Sequence, residues 1–390
     1  MEMSKYDFDE VLDRRGTCSE KWDGLLDNFG AEDLLPMWVA DMDFKSPPKV
    51  VEFFVERSKH GVFGYPSKGK SYHDVIVDWV SKRHGWEIKR EWIVDVPSVM
   101  PGIAASLLAL TSKGDGVVVQ PPVYPPFFEV TGSLDRKVLP NFLVEDEGWH
   151  MNLKNLEKVL PSAEALLFCN PHNPVGRVWT EDELSALSHL CAKAEIPIIS
   201  DDIHCDFVYP GRKYIPMASL NHEAMMNSIT FMSASKTFNI AGFKNAYAIV
   251  PNPEMREKLT KVLRGLHFGS GDLFGILGLE RAYKYGRDWL DELILYLEKN
   301  RDFALPILRE AGIDVVKPEG TYLLWLDFRK LGLKQEELMD FLVRKAKLAL
   351  NDGSAFGSNG IGFARMNIGC PRNTLSEGLK RLTEALSEIR

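Results

Sequence analysis

The chain has 390 residues, of which 45% are hydrophobic and 26% charged, and its formal net charge is −8. This composition is typical of a globular protein, and the length predicts one large domain with a smaller one. The acidic balance, without a basic block, argues against nucleic acid or an anionic membrane as the main partner. No apolar run approaches the roughly 18 residues of a membrane span.

Cysteine usage and the first residues bear on the cellular compartment. The five cysteines are odd in number and widely spaced, at positions 18, 169, 191, 205 and 370. This pattern predicts reduced thiols rather than a disulfide framework. The N-terminal residues are too polar for a signal peptide. Together these features predict a cytoplasmic protein.

The first part of the chain predicts an arm followed by two helices. Residues 1–45 show weak periodicity and no domain-like pattern. Helical spacing then covers 48–60 and 71–85, and the second helix has a glycine at its end as a stop signal. The loop between these helices, 61–66, carries the aromatic Tyr65 near its tip.

From about residue 102 onward, strands and helices alternate. The predicted strands are short apolar runs, at 116–119, 137–144, 165–169, 196–200, 229–232 and 245–250. The predicted helices cover 102–112, 180–194 and a segment that begins near 253. Apolar strands that alternate with helices predict an α/β fold, in which a mostly parallel sheet is covered by helices on both faces.

The pattern changes after about residue 275. A long helical region, a strand, a helix, a glycine-rich loop and a final amphipathic helix are predicted at 276–308, 322–328, 335–347, 352–362 and from about 375. This order predicts a smaller α+β domain, joined in space by the N-terminal arm. We expect the arm over 1–45, the large domain over 46–285 and the small domain over 286–390.

One lysine stands at the end of a predicted strand. The segment Ser233-Ala234-Ser235-Lys236 follows the apolar run 229–232, and no acid flanks the lysine. Lysine attacks a carbonyl compound only as the neutral amine. We therefore predict that Lys236 binds pyridoxal phosphate (PLP) covalently, although an ordinary loop lysine fits the same four residues.

Three other strand ends carry polar side chains, namely Tyr124, Asn173 and Asp201. In an open α/β sheet, ligands bind outside the carboxyl ends of the strands. Taken singly, each residue has a structural explanation, as loop packing, a turn before a proline and a helix cap, respectively. Their shared place in the topology, together with Lys236, favours a binding site.

The chemistry of PLP gives each of these residues a task. A buried carboxylate keeps the ring nitrogen protonated, and Asp201 suits that role. Asn173 offers a donor to the phenolic oxygen, and Tyr124 offers an aromatic stack. The phosphate needs backbone amides at the start of a helix, together with hydroxyl and cationic donors. The carboxylate of an amino-acid substrate needs a cation that donates two parallel hydrogen bonds, as arginine does. The candidates for the phosphate are Gly102, Ile103, Ala104, Ser233 and Lys244, and the candidate for the carboxylate is Arg365.

Several motifs occur in a fixed order, namely Asn173-Pro174-Val175-Gly176, Asp201-Asp202-Ile203-His204, Ser233-x-Ser235-Lys236 and Gly242-x-Lys244. Over roughly residues 30–390 the chain resembles fold-type I PLP enzymes of the aminotransferase class I/II group. The stretches 37–44, 170–179 and 319–323 resemble the MalY/PatB-type cystathionine β-lyase, or C–S lyase, branch. The resemblance implies a seven-stranded sheet in the large domain.

The resemblance also implies roles for individual residues and an oligomeric state. Lys236 and Tyr124 correspond to catalytic residues. Tyr65 sits where the family has a tyrosine that reaches the phosphate of the neighbouring subunit, which implies a homodimer. Val39 and Ala40 are implied to bind an amino-acid substrate together with Arg365 and Asn173.

Three positions depart from the broader pattern of this family. Lys244 stands where many relatives have a phosphate-binding arginine. The positive charge is kept, but the two-pronged hydrogen bonding of a guanidinium is lost. Asp202 stands where the branch usually has glutamate. His204 takes the place of the usual tyrosine near the phenolic oxygen, a feature that the lyase branch shares.

The acidic segment also admits a metal-site interpretation through Asp201, Asp202, His204, Cys205 and Asp206. Strand alternation would send neighbouring side chains to opposite faces, and no second His/Cys pair has a matching spacing. We therefore expect no metal ion.

Two reactions and one non-enzymatic role fit the predicted site. A β-lyase cleaves cystathionine, cystine or cysteine-like amino acids to pyruvate, ammonia and a thiol, whereas an aminotransferase returns the α-proton to the cofactor. Both reactions use Lys236 as the general base, so the site residues do not distinguish them. The resemblance around Trp38 favours the lyase. A protein that uses this fold for binding or regulation ranks third.

Overall fold

A computed structural model describes residues 5–269 and 271–389 of the chain. Its α-helices are, in chain order, Glu20–Asp23, Leu25–Phe29, Pro48–Lys59, Lys70–His84, Val99–Leu110, Pro126–Ser133, Leu153–Val159, Glu181–Lys193, His222–Met226, Ala234–Thr237, Pro253–Gly265, Leu273–Tyr285, Arg287–Glu310, Gln335–Arg344 and Arg372–Ser387. No helix in this part of the chain is long and apolar enough to cross a membrane.

The largest sheet has seven strands. They lie side by side in the order Ile93–Val96, Ala246–Ile249, Ser228–Met232, Ile198–Asp201, Ala165–Cys169, Gly116–Val119 and Lys137–Pro140. Ala246–Ile249 runs antiparallel to both of its neighbours, and the other adjacent pairs are parallel. The mostly parallel, seven-stranded sheet expected from the sequence is confirmed.

Helices cover both faces of this sheet. Every residue of the central strand Ala165–Cys169 is buried. Its Leu167 packs in the same apolar cluster as the helix Val99–Leu110. The neighbouring Leu166 packs in another cluster, with the helix Glu181–Lys193. Successive side chains of a strand point to opposite faces, so a strand covered on both sides needs an unbroken apolar run.

A second, antiparallel sheet lies in the C-terminal part of the chain. Its strands follow the order Asp314–Val315, Leu323–Asp327, Phe363–Asn367 and Asn351–Asp352. The arm joins this part, because Leu35–Pro36 pairs in parallel with Leu348–Ala349. A further short pair consists of Val144–Glu145 and Trp149–His150. The domain boundaries near residues 45 and 285 stay predictions.

Two of the predicted elements differ from the elements of the structure. The helical region expected over 276–308 is two helices, which meet at Gly286. A Cβ atom at Gly286 would come within 2.4 Å of the Phe238 ring, so only a bare backbone fits there. The strand expected over 137–144 ends at Pro140.

Close packing of a helix on the large sheet yields a stability prediction. A Cβ atom at Gly102 would lie 2.4 Å from the Phe231 ring. We therefore expect Gly102→Ala to lower the free energy of unfolding by about 1–3 kcal/mol, as overpacking does. Urea unfolding measures this change. The matched control is Gly132→Ala, where no atom lies within 4 Å and the helix gains up to about 1 kcal/mol. Equal stability of the two variants would contradict the packing argument.

Candidate active site

Three adjacent parallel strands deliver polar residues to one edge of the large sheet. In the strand register Cys169 lies opposite Asp201, and Asp201 lies opposite Phe231. Asn173 and Lys236 each follow the end of one of these strands by four residues. All three polar residues line one cavity of about 360 Å³, a volume suited to a small molecule.

The cavity is built from the sheet edge, the arm and the C-terminal part of the chain. Its lining residues are Trp38, Val39, Ala40, Ser98, Val99, Met100, Tyr124, Cys169, Asn173, Asp201, Ile203, His204, Ser235, Lys236, Ala241, Asn351 and Arg365. Eight of the residues predicted from the sequence are among them, namely Val39, Ala40, Tyr124, Asn173, Asp201, His204, Lys236 and Arg365.

Lys236 lies in the short helix Ala234–Thr237. Ser233 caps this helix, since its Oγ accepts from the Ser235 amide at 3.0 Å. The Lys236 Nζ donates to the carbonyl oxygen of Ala40 at 2.6 Å. Burial, with the charge of Arg365, lowers the pKa of Lys236 to about 8. About a tenth of this amine is therefore neutral, and so nucleophilic, at pH 7.

Two neighbouring acids have different surroundings. Asp201 faces the cavity, and burial raises its pKa to about 6, against the opposing effects of the Ile203 amide and Lys236. Asp202 is absent from the cavity lining. Burial raises the pKa of Asp202 to about 7, and its carboxyl group accepts from the hydroxyls of Ser200 and Tyr214. Asp201 is therefore the acid available to a ligand.

His204 offers an open ring nitrogen. The residue is 3% exposed, and its Nδ1 makes no hydrogen bond with the described residues. Burial, with the charges of Lys236 and Arg365, holds the pKa of His204 well below its ordinary value. The ring is therefore neutral. A buried polar atom without a partner is expected to face a bound group.

Arg365 is held by three oxygen atoms. Its Nη1 donates to Asn173 Oδ1 at 3.0 Å, and its Nη2 donates to Asn351 Oδ1 at 2.5 Å and to the Trp38 carbonyl at 2.9 Å. Its Nε makes no hydrogen bond with the described residues. Burial lowers the pKa of Arg365 to about 10, which leaves the guanidinium charged. It is an oriented cation with donor capacity to spare.

The arm enters the cavity through its backbone. Asn367 Nδ2 donates to the carbonyls of Val39 and Asp41, both at 2.6 Å. Tyr322 donates to the carbonyl of Ala40 at 2.9 Å. These hydrogen bonds fix the position of the segment 39–41, whose Ala40 carbonyl accepts from the Lys236 amine. Polar side chains from the C-terminal part thus position Val39 and Ala40.

The predicted helix start for phosphate binding lies one turn too late. The helix begins at Val99, and the amide of Gly102 donates to the Ser98 carbonyl at 3.2 Å. Gly102, Ile103 and Ala104 lie outside the cavity lining, whereas Ser98, Val99 and Met100 belong to it. The first amides of a helix have no helical acceptor, so those of Val99 and Met100 are available. The missed signal is Pro101, which the first turn of a helix tolerates.

Three other predicted residues lie outside this cavity. The hydroxyl of Ser233 donates to the Asn245 carbonyl at 2.6 Å. Lys244 is exposed. Tyr65 is fully exposed on its loop. Tyr124 does line the cavity and is half-buried, and burial together with Asp201 raises its pKa.

The sequence matches the family described as aminotransferase class I and II over residues 32–382. The chain belongs to this family. It is 40% identical, over 385 residues, to cystathionine beta-lyase PatB of Bacillus subtilis, with coverage of 97% of this chain and 100% of that relative. The resemblance to the MalY/PatB branch is thereby confirmed.

Solved structures of similar chains share the fold. A PLP-bound putative aminotransferase from Clostridium difficile is 41% identical, with a TM-score of 0.96 and coverage of 98% of this chain and 100% of that one. Cystalysin from Treponema denticola, which contains a pyridoxal 5'-phosphate cofactor, is 34% identical, with a TM-score of 0.95 and coverage of 99% and 100%. The predicted fold type I architecture is confirmed.

The charge of Arg365 yields a prediction for the Lys236 amine. Removing a positive charge that lowers the pKa of Lys236 should raise that pKa above about 8. In Arg365→Gln we therefore expect amine labelling of Lys236 in ligand-free protein to begin at higher pH, because only the neutral amine reacts. Peptide mass spectrometry across a pH series measures the midpoint. Arg329→Gln, outside the cavity, should leave it in place, and an unshifted Arg365→Gln midpoint would contradict the coupling.

Proposed function

We propose that this chain is a PLP-dependent carbon–sulfur β-lyase of the cystathionine β-lyase type. Its substrates are cystathionine, cystine or cysteine-like amino acids, and its products are pyruvate, ammonia and a thiol. One observation carries the proposal. A cavity that holds Lys236, Asp201 and Arg365 together lies in a chain 40% identical to a named cystathionine beta-lyase over its full length.

The residues of the cavity fit the ring of PLP. Lys236 supplies a partly neutral amine for covalent attachment, and Asp201 supplies a buried carboxylate for the ring nitrogen. Asn173 and His204 are the candidate hydrogen-bond partners of the phenolic oxygen, since His204 Nδ1 has no partner among the described residues. Tyr124 supplies the aromatic stack. When bound, PLP withdraws electrons from the α-carbon of an attached amino acid.

The phosphate of the cofactor has candidate donors at a helix start. Val99 and Met100 line the cavity at the N-terminus of a helix of twelve residues, where anions bind well. Ser235 lines the same cavity. Lys244 contributes charge from the exposed side, and Tyr65 of a second subunit contributes its hydroxyl.

The side chains of the cavity divide the steps of the reaction between them. Arg365 binds the substrate carboxylate and, with Asn173, orients the α-carbon. The Lys236 Nζ then takes the α-proton as general base. The resulting ammonium donates a hydrogen bond to the Ala40 carbonyl oxygen, which lies 2.6 Å from Nζ in the structure. Departure of a thiolate from the β-carbon completes the elimination, and water hydrolyses the released aminoacrylate to pyruvate and ammonia.

A larger groove lies next to the site. The groove has a volume of about 830 Å³ and shares Trp38 and Asn351 with the cavity. Phe29, Met339 and Val343 line its apolar part. This space accommodates the portion of a substrate beyond its sulfur atom.

An aminotransferase is the second candidate. The observation in its favour is the similarity to the structure described as a putative aminotransferase, at 41% identity. Lys236 and Arg365 serve either reaction, because both begin with loss of the α-proton. The two proposals differ only in the fate of the β-substituent, which an assay of products measures.

Product analysis tests the lyase. We expect the PLP-loaded enzyme to release pyruvate and free thiol from cystathionine. Lys236→Ala should lose nearly all turnover, because it lacks the amine that moves the α-proton, whereas Lys137→Ala on an exposed strand should keep it. Consumption of an amino acid with a 2-oxo acid, without thiol release, would favour the aminotransferase. Full turnover by Lys236→Ala would overturn both proposals.

We propose that the active enzyme is a homodimer with shared sites. Tyr65 is fully exposed, and Val62 and Phe63 beside it are 61% and 58% exposed. An exposed apolar loop is typical of a surface that a partner covers. Tyr65 lies outside the cavity of its own chain, so its proposed phosphate contact requires a second subunit.

Subunit mixing tests this arrangement. Each site of the dimer takes Lys236 from one chain and Tyr65 from the other. Mixed dimers of Lys236→Ala and Tyr65→Ala chains should therefore contain one intact site. A one-to-one mixture should regain about a quarter of wild-type activity, with random pairing in a two-fold dimer. A mixture of Lys236→Ala with Asp201→Asn is the control and should regain none. No gain in the first mixture would place Tyr65 outside the partner's site.

We also propose a cytoplasmic location. All five cysteines are free, and four of them are buried. A reducing compartment keeps such thiols in that state.

A further inference from the structure

Asn239 joins the lysine-bearing segment to the arm. It follows Lys236 by three residues, and its side chain makes three hydrogen bonds with the arm backbone. Its Oδ1 accepts from the Met42 amide at 3.0 Å. Its Nδ2 donates to the carbonyls of Met42 and Phe44 at 2.8 Å and 2.7 Å. Both amide hydrogens of the side chain are thus used on the arm.

The turn at Asn239 does not by itself require this side chain. The residue has a φ of 56°, in the left-handed region that asparagine adopts more readily than most residues. Glycine adopts the same region at a lower cost, so the backbone alone would favour glycine here. The contacts with the arm therefore account for the amide side chain.

Asn239 and Asn367 hold the segment 39–44 from different parts of the chain. Each of them donates to two carbonyls of this segment, and the two pairs of carbonyls differ. The Ala40 carbonyl is bonded to neither asparagine and accepts from the Lys236 Nζ at 2.6 Å. The backbone amide of Asn239 donates to the Lys236 carbonyl at 3.3 Å. Asn239 therefore connects the lysine with the segment that carries the acceptor of its amine.

We propose that Asn239 is a positioning residue for proton transfer by Lys236. By holding the arm against the lysine segment, it keeps the Ala40 carbonyl in place to accept from Nζ while the amine takes the α-proton. The inference rests on the proposed function, in which Lys236 is the general base. Asn239 does not line the cavity, so its effect on the reaction passes through Lys236 and Ala40.

A purely structural role is the competing explanation. Under it, loss of the Asn239 side chain lowers the free energy of unfolding but leaves each folded active site as fast as before. Under our proposal the folded site itself is slower, because a displacement of about 1 Å in a reacting group costs up to about a hundredfold in rate. Rates are therefore compared per bound cofactor, counted by absorbance.

Three variants separate the side chain from the backbone. Asn239→Gly removes the amide group and keeps a residue that tolerates the left-handed backbone. Asn239→Asp keeps an acceptor for the Met42 amide but places a carboxylate against the two carbonyls. The matched control is Glu195→Gly, at an exposed residue whose φ is 58° and which lies outside the cavity lining.

Hydrogen exchange in cofactor-free protein tests the hold on the arm. We expect the Met42 amide of Asn239→Gly to exchange about tenfold faster than that of the wild type, because it loses its acceptor. Mass spectrometry of peptides that cover 40–45 measures this rate, and Glu195→Gly should match the wild type. Unchanged exchange in Asn239→Gly would show that these hydrogen bonds do not hold the arm, which overturns the proposal.

Loss of the α-proton from L-alanine in D2O tests the chemistry. Alanine has no leaving group on its β-carbon, so nuclear magnetic resonance follows proton transfer alone in the PLP-loaded enzyme. In Asn239→Gly the maximal exchange rate per bound cofactor should fall at least about tenfold, while the half-saturating alanine concentration stays within about twofold. Asn239→Asp should also be slower, and Glu195→Gly should match the wild type.

The outcomes separate this inference from the function on which it rests. A wild-type rate in Asn239→Gly, or a raised half-saturating concentration with an unchanged maximal rate, would overturn the positioning role alone. No exchange by the wild type would overturn the proposed function and the inference with it. Circular dichroism identifies folded variants, and Asn239→Asp replaces Asn239→Gly if the latter does not fold.

Discussion

Desolvation at the edge of a parallel sheet is the constraint on which the site depends. Asp201 and Lys236 follow neighbouring strands into the same enclosed space, and burial moves both toward their neutral forms. The pKa of the acid rises to about 6, and that of the amine falls to about 8. Each group also favours the charged form of the other. A carboxylate that is still ionised and an amine that is partly neutral near neutral pH thus arise from the packing of strands and helices.

The central strands and most of the site residues could be predicted from the sequence. Apolar runs such as Ala165–Cys169 indicate a strand with helices on both faces. The residues that follow such parallel strands lie at the same edge of the sheet, so they come close together. The start of the helix at Val99 could not be predicted in this way. Proline usually marks the first residue of a helix, but Pro101 is the third residue of this one. The sequence also did not reveal that the Ser233 hydroxyl, expected to bind phosphate, donates to the Asn245 carbonyl instead.

Segments from opposite ends of the chain complete the site. Arg365 and Asn367 are two residues apart on one strand, so they project to the same face. Both donate to carbonyls of the arm, at Trp38 and at Val39 and Asp41. The arm in turn presents the Ala40 carbonyl to Lys236. Formation of the site therefore requires the arm, the large sheet and the C-terminal strands together.

The groove outside the cavity has a consequence for how specificity can evolve. Trp38 and Asn351 belong to both spaces, and each accepts a hydrogen bond from Arg365. The rest of the groove wall, including Met339 and Val343, does not line the reacting cavity. Under the proposed function, a substitution in that wall would change which leaving groups fit without touching Lys236 or Arg365. A substitution at Trp38 or Asn351 would instead disturb the groove and the Arg365 guanidinium at once.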